Sequence, residues 1–403
     1  MENNKLVLAF SGGLDTCYCL WQLVKDGYEV HTVFVSTGGI EQSEIDEIEK
    51  RAQLLGSTRH HTLNAEQAIW DEFVIPLVWS GARMLGEYPL LCSDRYVIVR
   101  LCLELCDQLQ TKRFAHGCTG MGNDQMRFDL TVMSLGDYVI HAPVRELQEK
   151  VDKVRDFELE CLKNTPVDIS ASSKRYSINE NLLGITISGS EIDEFKAPAE
   201  DAYVWCKPRA QWPLQSLQVQ LTFQNGIAVA LNGQTVSGPE MIQELNKSLG
   251  AYGVGRHIYT GDVSLGLKGR IVFECPGIDA LLIAHKALMN TVNTKLQNQF
   301  HAQIAARWAE LVYTGYFYEP HKHDLEAYLS NSQSYINGTV TLSTEGGSLL
   351  ATDIESEHIL QDPEAVYAQS CTWSPSEAVG FIKLSGQSTV MAQRLRRQKD
   401  NSQ

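Results

Sequence analysis

The sequence predicts an α/β protein: a mostly parallel sheet with helices on both sides over roughly residues 1–165, then a second, α+β domain over 166–360 and a C-terminal arm over 361–403. Three observations carry this. Apolar runs at 5–10, 29–35 and 111–115, with weaker ones at 58–63 and 138–142, alternate with helical patterns at 16–25, 42–55 and 94–109, as parallel strands joined by crossover helices require. The texture changes after about residue 165, where "LQVQLTFQNGIAVALNG" (217–233) reads as an antiparallel hairpin. Finally, two glycine-bearing loops, 11–16 and 116–124, each follow an apparent strand, and ligands of open parallel sheets sit at the carboxyl ends of strands.

Each element has its own reason. Continuous apolar runs such as 5–10 suit strands covered on both faces. In 94–109, Val97, Ile98, Leu101, Leu105 and Leu109 share one helical face,. Asn225-Gly226 is the turn pair that a two-residue hairpin favours,. A helix over 239–250, a glycine-rich stretch over 250–269 and a strand over 269–277 follow. Residues 278–314 read as long amphipathic helix with one break, and 334–343 and 348–354 as further strands. The arm ends in "VMAQRLRRQKDNSQ", an apolar-then-basic segment that suits a helix docking on another subunit; on composition alone, a frayed polar terminus fits as well.

Bulk composition narrows the function classes. Hydrophobic residues at 43% and charged residues at 21% are ordinary for a globular protein,. A formal net charge of −15 opposes a general nucleic-acid or anionic-membrane binder, because both need a basic face. A small anionic ligand stays open, since one arginine or a helix N-terminus can hold it. The N-terminus lacks a signal pattern, and no apolar run approaches a membrane span,. Ten scattered cysteines include no C-x-x-C pair, which opposes a zinc ribbon or thioredoxin-type site. Thiols spread in this way behave as small buried hydrophobes in a reducing compartment, so a cytoplasmic protein is expected.

The first loop, in "KLVLAFSGGLDT" (5–16), carries the clearest chemistry. Gly12 and Gly13 let successive N–H groups turn inward as an anion nest. The helix starting near Asp15 adds its positive end, and Ser11 and Thr16 add hydroxyls. There is neither a Walker P-loop nor a G-x-G-x-x-G on the first turn,. The string fits SGG-x-D-[ST], the loop of ATP enzymes that release pyrophosphate and grip the β and γ phosphates as a leaving group. The plain alternative is a strand–helix turn with Asp15 as a cap. A carboxylate near phosphates is tolerable when a hard cation neutralises both, so Asp15 points to Mg²⁺.

The second loop is "HGCTGMGNDQMRFD" (116–129). Together with "FSGGLDT", "APVRE" (142–146), "SINENLLGITISGSE" (177–191), "VALNG" (229–233), "GVGR" (253–256), "GLKGRIVFECPG" (266–277) and "ELVYTGYF" (310–317), it resembles the argininosuccinate synthase family, in one order along nearly the whole chain. The resemblance implies an N-type ATP pyrophosphatase domain, a synthetase domain and a C-terminal oligomerisation helix in a homotetramer. It implies a ligation in arginine biosynthesis: citrulline is activated by ATP as a citrullyl-adenylate with loss of pyrophosphate, and aspartate then displaces AMP. Carried over by position, Ala9, Phe10, Ser11, Gly12, Gly13, Leu14, Asp15, Thr16, Val35 and Gly117 would contact ATP. Thr119, Asn123 and Asp124 would hold aspartate. Asn123, Arg127, Ser177 and Thr186 would hold citrulline, with Thr186 where the family usually has serine. Asp15, Asp124 and Arg127 would be the catalytic set, with Asp15 toward the metal.

The sequence also departs from the family. In "EYPLLCSDRYVIVR" (87–100), Tyr88 and Ser93 are the nearest candidates for a tyrosine and serine that touch citrulline. Where the family commonly has Glu and, twelve residues on, Tyr, this chain has Gly261 and Phe273; Asp262 stands next to the missing carboxylate and could replace it. His116 is the nearest imidazole that could take the aspartate ammonium proton. The SGG-x-D-[ST] loop also opens GMP, NAD and asparagine synthetases and tRNA thiouridine enzymes; the absence of added length before the loop opposes GMP and asparagine synthetases, and the charge and missing C-x-x-C oppose the tRNA enzymes. A non-catalytic or altered-acceptor nucleotide-binding protein of the same fold is the alternative reading.

Overall fold

The computed structural model describes residues 4–167, 175–367 and 369–401. Leu6, Val7 and Leu8 are fully buried, as a run apolar on both faces demands. They form the centre of β1 (Lys5–Ala9), which pairs in parallel with β2 (Glu29–Ser36) and β4 (Arg113–Ala115). With β3 (Arg59–Asn64) and β5 (Val139–His141) the order is β3-β2-β1-β4-β5, parallel throughout. The chain therefore winds one way from β1 to β3 and then returns to the other side, which makes the gap between β1 and β4 the switch point. Both motif loops leave the sheet there, side by side.

Helix Asp94–Gln108 covers one side of the sheet and is buried more widely than the expected stripe. Cys102 and Cys106 are buried with Tyr96 and Val99, small thiols filling space where larger side chains would not fit.

The rest of the chain builds two antiparallel sheets from β6 (Ser177–Asn181), β7 (Gly184–Ser188), β8 (Leu217–Gln224), β9 (Ile227–Leu231), β10 (Gln234–Thr235), β11 (Arg256–Asp262), β12 (Lys268–Glu274), β13 (Gly338–Thr344) and β14 (Leu350–Glu355). Their orders are β11-β12-β7-β6 and β10-β9-β8-β13-β14. The turn at Asn225 (φ +47°) and Gly226 (φ +70°) is left-handed at both residues, as its sequence predicts. The expected long helix breaks at Asn293, giving Pro276–Val292 and Lys295–Tyr313, the latter opened by a Thr294–Gln297 capping box,. The glycine-rich stretch over 250–269 contains β11, which the sequence did not mark as a strand. The short polar strand β6 likewise gives no clear period in the sequence.

Met1–His358 is one compact unit: its largest core runs from Val7 to Leu349 and spans the boundary expected near 165, while a second core lies wholly within residues 6–167 and a small third one within 176–272. Ile359–Gln403 is a second unit holding helices Pro375–Ser385 and Gln387–Asp400. No helix of the described residues is long and apolar enough to cross a membrane.

One tie matters for the site. The last carbonyls of a helix have no partner within it, and the Val312 carbonyl accepts a hydrogen bond from the buried Tyr96 hydroxyl. The Tyr96 ring also stacks on Phe317, centroids 4.4 Å apart. Tyr96→Phe keeps the stack and removes the bond, so it is expected to cost about 1 kcal/mol; an unchanged urea midpoint would count against this tie.

Candidate active site

The first loop is held open by its neighbours. Gly12 has φ +72°, and a Cβ there would lie 3.0 Å from Ile48. Arg51 Nη1 donates to the Gly12 carbonyl at 3.0 Å, and Thr16 donates to the Gly13 carbonyl at 3.2 Å with its hydroxyl 3.2 Å from that of Ser11. Helix Leu14–Lys25 begins at Gly13 with no side-chain cap. Its first N–H groups therefore remain available to an anion, and Asp15 is not the cap of a plain turn. Ala9, Phe10, Leu14 and Val35 are buried behind the loop. The second loop meets it at Gly117, where a Cβ would lie 3.0 Å from Thr16 and 3.4 Å from Asp15.

Asp15 has a neighbour that sequence reasoning missed. Its side chain opens to solvent, yet the protein around it pushes its carboxyl above the usual value, against the pull of Arg155 and Glu158. Glu158, on helix Val154–Leu162, is almost fully buried. Burial, and then the charge of Asp15, push its carboxyl up to about 8, and its Oε1 has no hydrogen-bond partner. Nothing in a polar helix pattern distinguishes this glutamate from solvated ones.

The second loop leads into helix Asp124–Leu135, where Asp124 and Arg127 pair one turn apart at 2.7 Å. Arg95, also missed, donates to Asp124 at 3.3 Å and to Asp94 at 2.7 Å. Burial alone would raise the Asp124 carboxyl, but Arg95 and Arg127 outweigh it and hold it below the usual range. Arg127 is buried, donates from Nη2 to the Tyr313 carbonyl at 2.8 Å, and lies over the Tyr313 ring at 5.3 Å. Its Nε is a buried donor with no partner. Asn123 donates to the Tyr313 hydroxyl at 3.1 Å and accepts from the Ser264 N–H at 2.6 Å. One amide hydrogen and one lone pair of Asn123 remain. The Thr119 hydroxyl accepts from the Met121 N–H at 3.5 Å.

A wall of aromatic rings faces this group. Tyr88 meets Phe273 edge-on at 5.3 Å and Tyr313 at 6.3 Å, and its hydroxyl faces Thr186 and Cys92. Burial pushes that hydroxyl well above the usual value, so it stays a neutral phenol. Phe273 lies opposite Thr186 across β12 and β7, and Ser177 is on the same face two residues beyond Asn179, the partner of Thr186. His257 stacks on Phe273 at 5.0 Å and bonds Asp279 at 2.5 Å. The Cys275 thiol donates to Asp279 at 3.6 Å and Arg83 pairs with Asp279 at 2.5 Å, which makes this His257–Cys275–Asp279 group a closed ion cluster rather than an open metal site.

Three expected residues are not brought into the group. The strand period sends Asp262 to the face opposite Gly261, and its carboxylate pairs with Lys268 at 2.7 Å. Ser93 is buried and donates to the Leu90 carbonyl at 2.8 Å, closing a turn. His116 uses both ring nitrogens, Nδ1 accepting from the Cys118 N–H at 3.1 Å and Nε2 bonding Asp129 at 2.9 Å. An imidazole so engaged orients the loop and has no nitrogen free to act as a base.

A parallel-sheet domain with an anion nest at its switch point, abutting a charged cluster under an aromatic wall, defines a nucleotide-binding enzyme with a second substrate site. The model for the arginosuccinate synthase N-terminal HUP domain matches residues 5–164, and that for the arginosuccinate synthase C-terminal domain matches 176–392. Argininosuccinate synthase of Xylella fastidiosa is 52% identical over 97% of this chain and 98% of its own length. Those of Xanthomonas campestris (51%; 97% and 98%) and Methanocaldococcus jannaschii (34%; 98% and 99%) match as completely. The chain belongs to the argininosuccinate synthase family.

The Glu158 carboxyl has a consequence for stability. Between its ordinary value near 4.5 and about 8, the folded chain holds a proton that the unfolded chain has lost. Its contribution therefore weakens as pH rises through that window and levels off above it. In nucleotide-free, metal-free buffer, Glu158→Gln should show a smaller fall in Tm from pH 5 to pH 8 than the unaltered protein; parallel Tm–pH curves would refute the assignment.

Proposed function

We propose that the protein joins citrulline and aspartate into argininosuccinate in arginine biosynthesis, converting ATP to AMP and pyrophosphate. The observation that carries this is the contact at Gly117, where the anion nest of one loop meets the loop leading to Asn123, Asp124 and Arg127. A nucleotide and an amino-acid acceptor bound at these two places would be neighbours. The names of the full-length relatives support the same reading.

In this reading the N–H groups of residues 11–16 hold the β and γ phosphates of ATP. The citrulline ureido oxygen attacks the α-phosphorus, the bond from that phosphorus to the bridging oxygen breaks, and pyrophosphate leaves. The aspartate amine, as the free base, then attacks the ureido carbon and AMP departs with the bonding pair. Arg127 suits a carboxylate through its planar fork, and its unpartnered Nε adds a donor. Tyr88, Phe273, Thr186 and Ser177 line the citrulline end, while Thr119, Asn123 and Asp124 take aspartate. Proximity does most of the work, because both steps join groups that must be held in contact.

Mg²⁺ fits the oxygen donors at the first loop. Asp15 would hold it through its carboxylate, a donor type that hard cations take, with Glu158 next to that carboxylate. Bound there, it would supply neutralisation of phosphate charge. The homotetramer and cytoplasmic setting that the family resemblance implies belong to the same proposal. Assembly is supported by Val379, Phe381, Ile382 and Leu384, all exposed on one helix of the C-terminal unit. A purely nucleotide-binding role is disfavoured, since it leaves the second loop's charge cluster without a purpose.

With Mg²⁺ and ATP, pyrophosphate release should require citrulline, and argininosuccinate should form only when aspartate is added. Release driven by another acceptor alone would overturn the reading. Arg127→Lys keeps the charge but loses the fork; it should raise the citrulline KM at least about tenfold with ATP affinity unchanged, as read by pyrophosphate release and nucleotide titration.

A further inference from the structure

The face of β11 and β12 that meets Tyr88 holds a residue with no role so far. Tyr259 is buried, stacks on Tyr88 with centroids 5.4 Å apart, and its hydroxyl has no hydrogen-bond partner. The Tyr313 hydroxyl lies beside it; that group donates to the Asp262 carbonyl at 3.2 Å and accepts from Asn123 at 3.1 Å, and its second lone pair is open to the phenol. A buried hydroxyl without a partner is costly, and phenylalanine would make the same stack without it.

Gly261 is shaped around this phenol. A Cβ at 261 would lie 2.1 Å from the Tyr259 hydroxyl oxygen and 2.4 Å from its ring carbon. The backbone of Gly261 is not left-handed, so the glycine answers to space and not to conformation. Alternation puts Tyr259 and Gly261 on the inner side of β11, while Thr260 and Asp262 are exposed. The two inner residues therefore act as a pair: one fills the room the other leaves. Arg127 Nε and Ser264 Oγ are further buried polar atoms without partners. Arg127 lies over Tyr313, and the Ser264 N–H is bonded to Asn123. Unused donors and acceptors thus gather around Asn123 and Tyr313, and the Tyr259 hydroxyl lies beside the Tyr313 end of that group.

We propose that the Tyr259 hydroxyl is a specificity-determining contact to the charged α-amino-acid end of citrulline, in space that Gly261 keeps clear. The inference rests on the citrulline reading of this pocket and deepens it. A phenol can donate to the carboxylate or accept from the ammonium group. It thereby supplies polarity to a wall that Phe273 leaves apolar, and it does so from the same sheet face. Tyr259 acts on binding, before the chemical steps.

The test uses the full-length protein with ATP and Mg²⁺. Tyr259→Phe should raise the citrulline KM roughly 13- to 160-fold, the worth of one hydrogen bond to a charged group, and weaken citrulline in calorimetry by the same factor. The KM values for ATP and aspartate should stay as they are, and the substrate-free Tm should not fall, because the variant loses a buried hydroxyl that costs stability. Gly261→Ala displaces the phenol and should also raise the citrulline KM, but should add nothing in a Tyr259→Ala background, the coupling expected of a shared contact. If the unaltered enzyme responds to citrulline and Tyr259→Phe leaves its KM and affinity unchanged, the Tyr259 assignment alone falls. If the unaltered enzyme shows no response to citrulline, the acceptor reading falls and this assignment with it.

Discussion

The carboxyl end of helix Lys295–Tyr313 is the constraint on which the site depends. A helix end presents carbonyls that lack partners and carry partial negative charge. Here the parallel-sheet region supplies what they need: the Tyr96 hydroxyl for Val312 and the Arg127 guanidinium for Tyr313. The Tyr313 side chain completes the joint, its ring under Arg127 and its hydroxyl between Asn123 and the Asp262 carbonyl. One helix end thus seats the arginine, the amide and the β11–β12 turn at once. The arginine is held by structure before any substrate arrives, which lowers the ordering cost of binding.

The nucleotide side obeys a different constraint. The switch point between β1 and β4 sets two loops side by side, and Gly117 lets them touch. A chain with net charge −15 can still favour an anion there, because local N–H groups and a helix end outweigh distant screened carboxylates. The Asp15–Glu158 pair opposes this locally, and Glu158 meets that conflict by keeping its proton at neutral pH.

Much of this was legible in the sequence, and the reasons are physical. The central strands β1, β2 and β4 were readable because strands buried on both faces are continuous apolar runs, and the part-exposed edges β3 and β5 gave weaker runs, while Asn225-Gly226 marked its hairpin through backbone preference alone. The loop at 11–16 was legible because glycines, hydroxyls and a helix start act within a few residues of one another. β11 was not, because its one glycine, Gly261, is there to make room for a phenol, and the left-handed Gly253 and Gly255 just before it mark a loop.

The sequence by itself determined the fold class, the anion nest, and the Asp124–Arg127 pair, since each depends on neighbours along the chain or on a strong periodic pattern. The tertiary structure decided which polar groups are left unsatisfied. Asp262 looked like a ligand and turned out to pair with Lys268 on the outer face; Ser93 and His116 are consumed by their own turns and loops. Glu158, Arg95, Tyr313 and Tyr259 emerged only when distant segments met. A hydrogen-bonding group is available for function when folding leaves it buried and without a partner, and that depends on contacts between residues far apart in the chain.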